Sequence, residues 1–219
     1  MNLMLNIGKK VREARNKNGM SLRELATHVE VSPSLLSQIE NGKANPSVDT
    51  LYKIARELGV PVDHFFPTQS TEAPPKRDDA TPVEMSPGEF QASRDNDIAQ
   101  GTDATFDDGD NAPIVRANDR PMIELRGGVT WARLTAEAEA NIEFLEIEYP
   151  SGSSSGEVMS HHGGREFGLV LEGTLTLHLG FECHELHPGD SIIFDSRTPH
   201  RLVNNGEVAM RAVWVVFNR

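Results

Sequence analysis

Apolar residues recur at helical spacing through positions 7–66 and give way to short runs of strand character after position 112. Ile7, Val11 and Ala14 sit among Lys9, Lys10, Arg12, Arg15 and Lys17, which predicts a helix over 7–18 closed by Gly19. A second helix begins at Ser21, where Ser21-x-x-Glu24 reads as a capping box, and turns Leu22, Leu25, Ala26 and Val29 inward. The third takes Ser32 as N-cap and Pro33 at its first position, where a missing N–H costs nothing. It buries Leu36 and Ile39 and stops at Asn41-Gly42. A fourth, over 48–58, buries Leu51, Ile54, Ala55 and Leu58, and a last short turn after Pro61 carries Phe65 and Phe66. Five short helices, the second and third joined by a tight turn, predict an all-α helix-turn-helix domain at residues 1–66.

Strands are expected at 128–134, 142–149, 168–171, 174–179, 191–194 and 208–217, punctuated by Gly152, Gly156, Gly173, Gly180, Pro188-Gly189 and Asn204-Asn205-Gly206. Such spacing argues for an antiparallel sandwich or barrel. The fold class is therefore multidomain, an all-α head followed by an all-β domain at 112–219.

Residues 67–111 are rich in Pro, Asp, Ser, Thr and Gly, with Met85, Phe90, Ile98 and Phe106 the few large apolar groups. That composition predicts a disordered tether with a root-mean-square span on the order of 35–40 Å. The net charge of −12 is unevenly placed. Residues 1–66 hold nine Lys/Arg against seven Asp/Glu (+2), residues 67–111 three against eleven (−8), and residues 112–219 nine against fifteen (−6). Acidity thus spares the helical head. The acidic tether reads as a solvated spacer, with competition against DNA phosphate as the sharper alternative. A single cysteine, Cys183, excludes an intrachain disulfide and suits a reducing compartment. No apolar run spans a bilayer and the start lacks the core of a secretory signal, so a soluble cytoplasmic protein without a membrane partner is expected.

Leu25-Ala26, Val31-Ser32, the Ile39-Glu40-Asn41-Gly42-Lys43 stop and Pro46-Ser47 resemble the phage-repressor and Cro type of helix-turn-helix, the XRE family, across residues 7–66. The resemblance implies that Ser32, Pro33, Ser34, Ser37 and Gln38 face base edges, where Gln38 could pair bidentately with adenine. It implies that Ser21 and the opening N–H groups of the second helix meet a phosphate. Asn41, Lys43 and Asn45 would brace the DNA backbone. Arg15 would pair with Glu40 in a structural role. Many relatives carry glutamine where this chain has Leu22 and Pro33, so DNA shape is expected to supply part of the specificity. The alternative is a helical bundle that binds protein instead of DNA.

His162-Gly163-Gly164-Arg165-Glu166-Phe167, then Gly173, Gly189-Asp190, His200 and Asn204 resemble a cupin, a double-stranded β-helix or jelly-roll barrel. Metal-binding cupins use three histidines and a glutamate. By that resemblance His162, Glu166 and His200 fall on ligand positions, while the first histidine position falls on Ser160. His161 cannot replace Ser160 without a bulge, because adjacent strand residues face opposite ways. The remaining set has the composition of a facial triad with open positions, so a divalent metal is a candidate cofactor with an incomplete ligand set. The other reading is a metal-free polar pocket lined by Ser160, His162, Glu166 and His200. His178, His184 and His187 read as surface residues, Trp131 and Trp214 as core or pocket walls, and Cys183 as redox-inert.

Joined, the halves imply a sequence-specific transcriptional regulator whose barrel senses an unknown small-molecule effector and holds a homodimer on a palindromic operator. It is read as a non-enzyme. The rival is a metal-dependent cupin enzyme, an oxygenase or isomerase, carrying a DNA-binding head. A third reading makes the barrel purely structural.

Overall fold

The computed structural model describes residues 3–67 and 114–218. The tether expected at 67–111 lies almost wholly outside the described residues. The head consists of α1 (Leu3–Lys17), α2 (Leu22–His28), α3 (Pro33–Glu40) and α4 (Val48–Leu58), closed by a 3-10 turn at Val62–Phe65. The short turn expected after Pro61 is this 3-10 turn, and α1 begins four residues earlier than its apolar spacing indicated.

Each boundary follows from local chemistry. Ser21 Oγ accepts from the Glu24 N–H while Glu24 Oε2 accepts from the Ser21 N–H, closing the capping box. Ser32 Oγ accepts from the Leu35 N–H ahead of Pro33. At the far end of α3, Gly42 adopts φ +65° and the N–H groups of Gly42 and Lys43 turn back to the carbonyls of Ile39 and Gln38. This paired return satisfies two carbonyls that the helix end would otherwise orphan. The inward stripe of Val11, Leu25, Leu36, Leu51, Ile54 and Phe65 is almost fully buried. Gly8 lets α1 cross the end of α3, since a Cβ there would fall 2.1 Å from the Ile39 carbonyl oxygen.

The second half holds β1 (Met122–Glu124), β2 (Thr130–Arg133), β3 (Ile142–Tyr149), β4 (Arg165–Glu172), β5 (Leu175–Leu179), β6 (Glu182–Leu186), β7 (Ser191–Asp195), β8 (His200–Val203) and β9 (Met210–Phe217). They form a six-stranded sheet in the order β1-β2-β3-β9-β4-β7 and a three-stranded sheet in the order β6-β5-β8. All pairings are antiparallel. Strict alternation on β9 buries Met210, Ala212, Trp214 and Val216 between the sheets. Strands β1, β6 and β8 were not expected. β6 is mostly polar and β8 is short, so neither shows a hydrophobic period.

The head does not merely hang from the barrel. The Arg126 N–H donates to the Pro46 carbonyl at 2.8 Å, and the Asp49 N–H to the Ser155 carbonyl at 3.2 Å. Arg133 of β2 lies over the Phe66 ring, and its Nη1 is 3.9 Å from Asp63 Oδ1. Both Asp63 and Arg133 are buried at this seam. Among the described residues no helix is long and apolar enough to cross a membrane.

Candidate functional site

Two sites emerge, one on the outside of α3 and one inside the barrel. On α3, Ser32, Pro33, Ser34 and Gln38 are exposed, and Ser37 is half-buried. Ser21, Asn41 and Lys43 are exposed nearby and Asn45 is half-buried. Several of these side chains already have structural work. Ser21 and Ser32 cap their helices, and Asn41 accepts from Arg12 Nη2 at 2.6 Å while donating to the Ser37 carbonyl at 2.7 Å. The Ser21 N–H is committed to Glu24, so an arriving phosphate would meet the N–H groups one and two residues on. The structural pair holds as expected. Arg15 Nε and Nη2 grip Glu40 at 2.6 and 2.9 Å, and Arg15 Nη1 donates to the Met20 carbonyl.

The barrel site is built on β4, β8 and the segment before β4. Strand alternation turns Glu166 inward, where it is 4 % exposed. Gly168 has no side chain because the Trp214 ring lies across it, and a Cβ there would sit 2.2 Å from the ring. That placement brings Trp214 Nε1 to Glu166 Oε2 at 2.7 Å. The other carboxylate oxygen, Oε1, lies 3.1 Å from His162 Nε2 and 3.2 Å from His200 Nε2. It makes no well-angled hydrogen bond to either.

The imidazoles are oriented from behind. His162 Nδ1 is 3.0 Å from the Gly163 carbonyl and His200 Nδ1 is 2.9 Å from the Thr198 carbonyl. A carbonyl only accepts, so each Nδ1 carries the proton and each Nε2 of a neutral ring turns a lone pair toward Glu166. Three electron-rich atoms then converge, all within 4.8 Å of one another. Either an added proton or a cation relieves that crowding. Burial alone would lower His162 and raise Glu166, but their mutual attraction wins, leaving His162 above and Glu166 below their ordinary values. The same donor set fits a divalent metal, with backbone carbonyls fixing the ligand tautomers. Ser160 lines the pocket and bridges the His200 backbone, while His161 is exposed and stays outside.

Tyr52, from α4 of the head, enters the barrel mouth. Its ring stacks on His162 at 4.2 Å between centroids and meets the edge of Trp131 at 5.8 Å. The Tyr52 hydroxyl donates to Glu143 Oε2 at 2.8 Å, and Asn218 Nδ2 donates to Glu143 Oε1 at 3.2 Å. Burial pushes the Tyr52 hydroxyl well above its usual range and the Glu143 carboxyl up to about 7. In the sequence Tyr52 was only a non-core position of an amphipathic helix, and nothing local signalled a partner 91 residues away.

With Tyr52 and Val48 in place, the barrel pocket retains about 20 Å³. That is room for about one water. A wider cleft of about 470 Å³ lies between Leu35, Asn45, Pro46 and Thr50 of the head and Glu124 and Arg126 of the barrel. It is distant in chemistry from the His–Glu–His cluster. The convergent donors lie in the barrel pocket and not in this cleft.

Residues 11–65 match the helix-turn-helix family and residues 145–216 the cupin domain family. The chain is 24 % identical over 208 residues to the HTH-type transcriptional regulator PuuR of Escherichia coli (strain K12), spanning 94 % of this chain and 91 % of that one. This chain carries a helix-turn-helix domain followed by a cupin domain. A second similar regulator is SutR of the same organism, 25 % identical over 197 residues, covering 90 % of this chain and 86 % of the other. Among solved structures, the match to an HTH_3 family transcriptional regulator from Vibrio cholerae covers 100 % of this chain and 99 % of that one, with a TM-score of 0.60 and 21 % identity. That likeness speaks for shared fold alone.

Proposed function

We propose that this regulator is a cytoplasmic homodimer that reads a palindromic operator with α3 and binds a small-molecule effector in the barrel pocket. The observation that carries the reading is the coexistence of an open polar face on α3 with a buried donor cluster beneath α4 of the same head. Ser34 and Gln38 supply base contacts, while Ser21, Lys43 and Asn45 set position on the phosphate backbone. A divalent metal held by His162, Glu166 and His200 would offer open coordination positions to an oxygen or nitrogen donor of the effector. The protein's own residues would orient that ligand, with Trp131, Tyr149 and Trp214 as walls.

Dimerisation is assigned to the outer face of the six-stranded sheet. Phe144, Val215, Phe167 and Ile193 stand side by side across β3, β9, β4 and β7. Phe144, Phe167 and Ile193 are 38, 40 and 50 % exposed, and Leu169 and Leu171 extend the patch. A flat apolar face of this kind can meet its own copy across a two-fold axis, which also suits a palindrome. A catalytic barrel is the weaker reading, because the similar proteins named above, PuuR and SutR, are transcriptional regulators.

Selection of bound duplexes from a random pool tests this function. Enrichment of a two-fold symmetric motif with half-sites about one helical turn apart is expected. A bound pool indistinguishable from the input would contradict it.

A further inference from the structure

The pocket is walled partly by the head, and this has a consequence for how an effector enters. Val48 and Tyr52 belong to α4, yet they line the same cavity as His162, Glu166 and His200. The phenol ring covers the face of His162, one of the three donors that an effector would approach. What remains is about 20 Å³, far below the several hundred Å³ of a usual ligand site. Two buried polar atoms on the lining, Glu166 Oε1 and Trp131 Nε1, have no hydrogen-bond partner. The site is thus chemically unfinished and sterically shut at once.

We infer that Tyr52 is a plug supplied by the DNA-binding head, so that effector binding in the barrel and docking of α4 on its mouth exclude one another. This rests on the sensing role proposed above and names how the pocket reports to the DNA reader. The effector takes the place of the Tyr52 ring against His162 and Trp131. The head then gives up the Tyr52–Glu143 hydrogen bond, the backbone contacts from Asp49 and Arg126, and the packing of Asp63 and Phe66 against Arg133. Separation breaks no regular strand or helix, since head and barrel are otherwise joined through residues 68–113. The docked head keeps Ser32, Ser34 and Gln38 exposed, so docking fixes where α3 points without covering it. An effector therefore trades a fixed reading helix for a freed one. Its leverage is set by how much better it binds the undocked form.

The seam offers a lock. A Cβ placed on Gly156 would lie 3.3 Å from the Asp49 Cβ, near the separation a disulfide spans. The test uses the full chain carrying Asp49→Cys, Gly156→Cys and Cys183→Ser, with 4-methylphenol, the free counterpart of the Tyr52 side chain, as the probe. Calorimetry follows its binding to the reduced and the oxidised protein. Oxidation should weaken binding by roughly tenfold or more, because the open population is removed. Adding Tyr52→Ala to the oxidised protein should restore binding, since the ring's place is then vacant beneath a head that is still docked. Equal binding with and without the cross-link overturns the exclusion while leaving the barrel a ligand pocket. A reduced form as silent as the oxidised one also overturns it, since the head would never yield. Silence of every form, the vacated one included, sinks the exclusion and the sensing role together.

Discussion

Trp214 Nε1 holds Glu166 Oε2 at 2.7 Å and so turns the second carboxylate oxygen toward the two imidazoles. The indole reaches that position only because residue 168 has no Cβ. The orientation of the Glu166 carboxylate therefore depends on residue 168, which is not itself one of the donors.

Gly168→Ala is expected to displace the Trp214 ring and loosen Glu166. Overpacking of this sort costs about 1–3 kcal/mol, which should lower the unfolding midpoint. Trp214→Phe deletes the N–H that holds Glu166 and also leaves a cavity beside Gly168, so it should loosen the cluster and lower the unfolding midpoint together. Thermal unfolding together with metal affinity measures both effects.

Metal analysis of protein purified without a histidine tag tests the cluster itself. We expect about one divalent ion per chain, lost in Glu166→Gln, which keeps the shape but removes the anionic donor. A wild-type protein without bound metal that also fails to take up added ion would leave the cluster as a proton-sharing pair.

Glu143 gives a pH signature. Its carboxyl is raised to about 7 in the fold, mainly by burial, against 4.5 ordinarily. The folded state thus holds a proton that the unfolded chain releases, so this contribution is complete below the ordinary value and lost as pH rises through about 7. The size is on the order of 3 kcal/mol. Denaturant titrations from pH 4 to 8 should show wild-type stability falling relative to Glu143→Gln over that window. Parallel curves would contradict it.

Breaking the Arg15–Glu40 pair should cost the head far more than a surface ion pair. The Glu40 side chain is 2 % exposed and Arg15 11 %, so Glu40→Ala strands a buried guanidinium at a cost of roughly 3–5 kcal/mol. Unfolding of the full chain followed by circular dichroism should show an early loss of helix.

The head was legible because each boundary is written locally. Ser21 with Glu24, Ser32 with Pro33, and Gly42 act within a few residues of themselves. In the barrel, β9 declared itself by alternation, whereas β6, reading Glu182-Cys183-His184-Glu185-Leu186, shows no buried period. His162, Glu166 and His200 were singled out by the resemblance to cupins, and the fold brings their donor atoms together. Tyr52 was invisible because its role depends on how two distant domains meet, and no local pattern encodes that. Likewise Gly168 looked like an ordinary strand glycine until Trp214 was seen across it.

The central claim is that α3 selects the DNA site, and competition binding of Ser34→Ala/Gln38→Ala tests it most directly. Each good base contact contributes about 1–3 kcal/mol of discrimination. The variant should keep its helical content and its salt-dependent affinity for random duplex, while its preference for the selected operator falls at least tenfold, on the order of the loss of one such contact. An unchanged preference in a folded variant would contradict the account.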